Sequence, residues 1–138
     1  MLSGGFAGCE SDEVPLSFTE YSLEETGYWD LDADDNGRNV VLINSDEELK
    51  KYFVDIDNMD YPPIDFSKHT LLLAGGQTQR GISEIKISSF RQLSDKKYKL
   101  DINIFLNFTA VAPEWVVAIL TGKLNDDSKI EVNVTMTN

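Results

Sequence analysis

Residues 97–108, KYKLDINIFLNF, alternate between apolar and polar positions. Tyr98, Leu100, Ile102, Ile104, Leu106 and Phe108 fall on one side, and Lys97, Lys99, Asp101, Asn103 and Asn107 on the other. A period of two marks a strand with one buried face and one wet face. The same alternation recurs at Ile85 and Ile87 within residues 82–90, and at Ile130, Val132, Val134 and Met136 near the end. TLLLA at 70–74 predicts a central strand ending at Gly75-Gly76, and WVVAIL at 115–120, apolar on both faces, predicts a more deeply placed one. VVLI at 40–43 predicts a third, shorter buried strand, and residues 16–29 predict an edge strand or two with a turn at Gly27.

One stretch has helical spacing. Leu49, Tyr52, Phe53 and Ile56 stand at i, i+3, i+4 and i+7, behind a capping box made of Ser45 and Glu48. Asp46, Glu47 and Glu48 suit the positive end of the helix dipole, and Pro62-Pro63 bars any continuation. The helix is predicted over residues 46–54. Between the late strands the connections are short, at residues 93–96, 109–113 and 121–128, which suits hairpins rather than long crossovers. The expected fold class is therefore α+β, a mostly antiparallel, meander-like sheet with one short helix packed on it.

The chain has 138 residues, which suits one domain over residues 16–138 after a tail of 1–15. Its two Trp, five Tyr and seven Phe supply a core. No apolar run reaches the ~18 residues of a membrane-spanning helix. A single cysteine excludes an internal disulfide and a zinc site built on several cysteines. Charge divides the chain unevenly. Residues 1–65 hold 17 acidic and three basic side chains (−14), whereas residues 66–138 hold seven and nine (+2). A net charge of −12 repels phosphate backbones, so nucleic acid is not an expected partner. The acidic half reads as a solvated surface, or as a site for cations or a basic partner.

The lone cysteine sits in a telling place. Phe6-Ala7-Gly8-Cys9 runs into Glu10-Ser11-Asp12-Glu13, which looks like the end of a bacterial lipoprotein signal peptide with Cys9 as the lipid acceptor. Only eight residues precede Cys9, and no Lys or Arg occurs before Arg38, so the true start is expected upstream of Met1. Phe6 stands where such signals usually carry Leu. The acidic residues after Cys9 resemble the signal that sends lipoproteins of Bacteroides-type bacteria to the outer face of the outer membrane. The expected location is the cell envelope, with the domain held to the membrane by its lipid.

Candidate chemistry is sparse. Asp32, Asp34 and Asn36 with Gly37 fit the first half of a calcium loop within residues 30–37, but Ile43 stands where the bidentate Glu should be. Asp, Asn and Gly are also the residues of an ordinary turn. His69, the only histidine, has no nucleophile motif around it and reads as structural or exposed. The glycines of 75–81 lack the Lys-Ser/Thr of a phosphate loop and read as a turn between strands. Phe105 departs from its strand's alternation by standing on the wet face, either as an exposed recognition patch or as a contact with the helix. No catalytic residue and no cofactor follow from these patterns.

The capped helix NSDEELKKYF, followed by PPIDFSKHTLLLAGGQTQRGISEIKI and then long alternating strands, resembles the C-terminal domain of PrcB, an accessory subunit of a bacterial surface protease complex. The resemblance covers roughly residues 40–122 and rests on Asp65-Phe66-Ser67 before a strand and a glycine-bearing turn after it. Gly81-Ile82-Ser83 stands where the family often has two adjacent glycines and an aromatic. The resemblance implies a non-catalytic role in binding or stabilising a protein partner. The competing expectation is a calcium-dependent glycan-binding module or hydrolase using the acidic loop.

Overall fold

The computed structural model describes residues 13–21, 28–29, 40–54, 63–111 and 113–138. Cys9, the loop with Asp32, Asp34 and Asn36, the turn at Gly27, and Ile56 lie outside the described residues. The elements in chain order are β1 (Val14–Pro15), β2 (Thr19–Glu20), β3 (Tyr28–Trp29), β4 (Val40–Ile43), α1 (Asp46–Tyr52), β5 (Phe53–Val54), β6 (His69–Gln77), β7 (Ile82–Ser94), β8 (Lys97–Leu106), β9 (Glu114–Gly122) and β10 (Lys129–Thr137). The described residues are mostly β with one short helix, and antiparallel pairings dominate.

The strands do not form one meander. They divide into a four-stranded sheet of order β2-β9-β6-β4, a second of order β10-β8-β7-β1, and the short pair β3-β5. Only the link between β7 and β8 is the expected hairpin, turned at Asp95-Lys96 with Lys96 at a φ of 64°. Residues 107–113 carry the chain from β8 to β9 in the other sheet, and residues 123–128 bring it back to β10, which lies parallel to β8. A parallel neighbour needs a crossover, and here β9 serves as that crossover. A short connection looks the same in sequence whether it turns within a sheet or steps between two.

The doubly apolar strands explain the layering. On β6, Leu72 and Ala74 face the second sheet, where they meet Phe90, Leu100, Ile102 and Ile104. Leu71 and Leu73 face the opposite way and pack with Val41, Ile43, Ala118, Tyr21 and the helix residues Leu49 and Tyr52. Strand β9 divides likewise, with Trp115 and Ile119 on one side and Ala118 on the other. The β6/β9 pair is therefore the middle of three layers, between the helix and the second sheet. Strands of the second sheet keep one wet face, as their alternation predicts.

Strand β7 needs a correction of phase. Its pairing with β8 shifts between Ile87 and Ser89, so that Phe90 follows Ile85 and Ile87 into the core although strict alternation would turn it outward. The helix is also shorter than its spacing predicts. It ends at Tyr52, and Phe53-Val54 pair with Tyr28-Trp29 as β5. Strand pairing outcompeted a last helical turn. Half of the capping box forms as expected, the Glu48 N–H donating to Ser45 Oγ at 3.2 Å, whereas the return bond to Glu48 Oε1 comes from the Asn44 N–H, one residue before the cap, at 3.0 Å.

Candidate functional site: the 107–113 loop and its groove

Strand β8 ends at Leu106, and Asn107 starts a compact turn. Asn107 Oδ1 accepts from the Thr109 N–H at 3.0 Å and from Thr109 Oγ1 at 2.6 Å. The backbone of Gly81 closes the base, donating to Thr109 C=O at 3.2 Å and accepting from the Asn107 N–H at 2.8 Å. A Cβ on Gly81 would lie 2.0 Å from Thr109 Oγ1 and 2.4 Å from Asn107 Oδ1, so this close approach requires glycine. At the far end the Thr78 N–H donates to Pro113 C=O at 3.1 Å.

A loop held at both ends then carries two apolar side chains into water. Phe108 is 92% exposed and Val111 55%. Beside them runs an open groove of about 540 Å³, lined in part by Ile82, Ile85, Pro113 and Trp115. The Trp115 indole packs on Gly76 across the strand pair, where a Cβ would sit 3.2 Å from the ring. Its N–H has no hydrogen-bond partner among the described residues.

Phe108 overturns an expectation, since alternation placed it inside. The strand stops two residues earlier because Asn107 and Thr109 bond to each other locally and compete with the ladder. The pairing of a strong turn former with a following Thr, ahead of Pro113, was the signal that could have ended the strand at Leu106.

Phe105 lies where its position in the alternation predicts, on the outer face of the second sheet. It is half-buried, beneath the Lys86 ammonium at 5.9 Å from the ring centroid. The helix packs on the far side of the other sheet, so a contact between Phe105 and α1 is excluded by the layering. Around Phe105 the outer face is polar and mutually bonded. Asp101 accepts from Ser89 Oγ (2.8 Å), Arg91 Nη2 (2.7 Å) and Asn133 Nδ2 (3.0 Å), and Arg91 also bridges to Glu13. Burial pushes the Asp101 carboxyl up, but these hydrogen bonds and the Arg91 charge outweigh it and hold it below the usual carboxylate range. A depressed carboxylate stabilises the fold above the ordinary Asp range, and that contribution fades as pH falls through the lowered value.

The remaining candidates are structural in their contacts. His69 is exposed, with Nδ1 3.1 Å from Thr121 C=O. Asp65-Phe66-Ser67 forms a turn into β6: Asp65 Oδ1 accepts from the Ser67 N–H (3.0 Å) and Oγ (2.6 Å), which lowers the Asp65 pKa, while Phe66 packs toward the helix-side core. Gly75 and Gly76, expected in a turn, are instead paired within β6 to Val116 and Trp115, and only residues 78–81 form the turn to β7. Among the described residues no group of three or more His, Cys, Asp or Glu is placed to hold a metal ion, and no helix is long and apolar enough to cross a membrane.

Comparison of the chain with protein-family models, curated proteins and solved structures finds no match.

Proposed function

We propose that this chain is a non-catalytic lipoprotein of the cell envelope, tethered to the outer membrane by lipid on Cys9, whose folded domain binds or stabilises a protein partner as an accessory subunit. The observation that carries the binding role is Phe108, a large aromatic held in water by a hydrogen-bonded loop beside an apolar groove. Aromatic anchors of this kind dominate interface energetics when they enter a pocket on the partner. The complementary chemistry is a protein with an apolar pocket for the ring. The PrcB-like order of elements supports the same role, and the acidic residues after Cys9 would serve as a hydrated spacer.

A photo-crosslinking residue at position 108 in the native envelope is expected to trap one dominant protein. The same residue at Lys123, beyond the opposite end of β9, should not. Phe108→Asp should weaken binding of the isolated partner by about 2–4 kcal/mol while leaving thermal stability unchanged. Equal crosslinking at both positions, or unaltered affinity, would refute the docking role. Tethering has its own test. A single acyl chain anchors only marginally and two or more anchor firmly, so Cys9→Ser in the precursor should move the protein out of the membrane fraction with its fold intact. Mass spectrometry finding a free Cys9 thiol on the native protein would end that part.

A further inference from the structure

Strand β10 ends its sheet, with β8 on one side and no strand on the other among the described residues. Its nine pairs with β8, from Lys129↔Lys97 to Thr137↔Phe105, run without a register shift. The Lys129 N–H donates to Lys96 C=O at 2.8 Å. In a parallel ladder the residues of one parity turn both backbone groups to the neighbour, so Lys129, Glu131, Asn133, Thr135 and Thr137 face β8. The N–H and C=O groups of Ile130, Val132, Val134 and Met136 therefore point outward. Protected edges carry a proline, a bulge or an inward-pointing charge. This one carries none of these, and its two charged residues, Lys129 and Glu131, stand in its first three positions on the outer face.

We propose that β10 pairs antiparallel with β10 of a second copy of this chain, joining two four-stranded sheets into one across a two-fold axis at Asn133. The register follows from the strand itself. Full-length antiparallel overlap sets Val132 against Val134 and Ile130 against Met136, which are the outward-facing residues and so form the hydrogen-bonded pairs. Asn133 meets its own copy, Glu131 meets Thr135 and Lys129 meets Thr137, so no like charges stand opposed. Such self-complementarity is what a two-fold interface demands of a single strand.

Two further features fit this occupant. Met136 shares the core-facing side with Ile104, its pairing partner, yet it is 47% exposed. At the other end of the strand, Ile130 lines an open crevice of about 430 Å³ with Val40 and Leu42. The two-fold register brings Met136 of the second copy beside Ile130, at the mouth of that crevice, where a flexible thioether fills irregular space well. The acidic excess does not oppose the contact, because residues 66–138, which supply β6–β10, carry a balance of +2.

Sedimentation equilibrium of the full chain tests the proposal, with hydrogen exchange as a second measurement. The expected result is a monomer–dimer equilibrium in which the amides of Ile130, Val132, Val134 and Met136 gain protection as concentration rises. Asn133→Lys sets a lysine against its symmetry copy on the wet face and should weaken the dimer by roughly tenfold. Val134→Pro removes an outward N–H but no bond to β8, and should abolish dimerisation while circular dichroism stays native. A monomer at every concentration overturns the proposal. So does a dimer that both variants leave intact, or protection of these amides already present in dilute monomer. Protection that appears only on adding an extended peptide also overturns it, in favour of a heterologous strand.

Discussion

Phe90→Ala is expected to lower the free energy of unfolding by about 3–5 kcal/mol, the usual cost of emptying a large buried aromatic site. Phe90 is 1% exposed and is the largest of the fully buried side chains among the described residues. It sits between the two sheets and stacks on Tyr98, with centroids 5.6 Å apart and planes inclined by 12°. Such stacking contributes about 0.5–1.5 kcal/mol beyond the buried area. The neighbours belong to paired strands of both sheets, which limits collapse into the cavity, so the cost should fall in the upper part of the range. Against a typical total of about 5–15 kcal/mol, that is a large fraction. Urea unfolding should show a lower midpoint with an unchanged slope. A loss below about 1.5 kcal/mol would mean that the sheets are not packed through this residue.

The second large effect is polar. Thr70 is fully buried at the start of β6. Its Oγ1 donates to Asn44 Oδ1 at 2.6 Å and accepts from the Leu124 N–H at 2.8 Å. Asn44 in turn donates to Leu124 C=O at 3.1 Å and to Asp126 Oδ1 at 2.6 Å. One hydroxyl thus ties the end of β4 to the segment that returns the chain from β9 to β10. Thr70→Val keeps the shape and strands both partners. At ~1–3 kcal/mol for each unsatisfied buried group, the expected loss is roughly 2–4 kcal/mol. Thr70→Ser restores the hydroxyl and should recover most of it, leaving about 1 kcal/mol for the missing methyl. Equal losses in the two variants, measured by urea unfolding, would show that the methyl rather than the hydrogen bonds matters at this site.

Local pattern made much of this architecture readable. Strands β8 and β10 follow from a period of two, because half-burial in a sheet selects alternate residues. The central place of β6 and the depth of β9 follow from their apolar runs, since only a strand covered on both sides buries every side chain, although nothing in those runs reveals the second sheet that covers them. The helix start follows from Ser45 and Glu48, whose bonds to the first turn are local. Charge asymmetry, the lone Cys9 and its small-residue approach are likewise properties of the chain alone.

Tertiary structure decided what depends on distant partners. A short loop does not reveal whether it turns within a sheet or steps between sheets, and so the parallel β8–β10 pairing was hidden. The end of α1 was decided by Phe53-Val54 finding Tyr28-Trp29, and the phase of Phe90 by an irregularity in pairing with β8. Phe108 was turned outward by Asn107 and Thr109 against Gly81, a contact across 26 or more residues that no periodicity encodes. The place of β10 at the end of its sheet among the described residues is the same kind of fact: alternation specifies which residues face the core, whereas strand order specifies which backbone groups face away from the sheet.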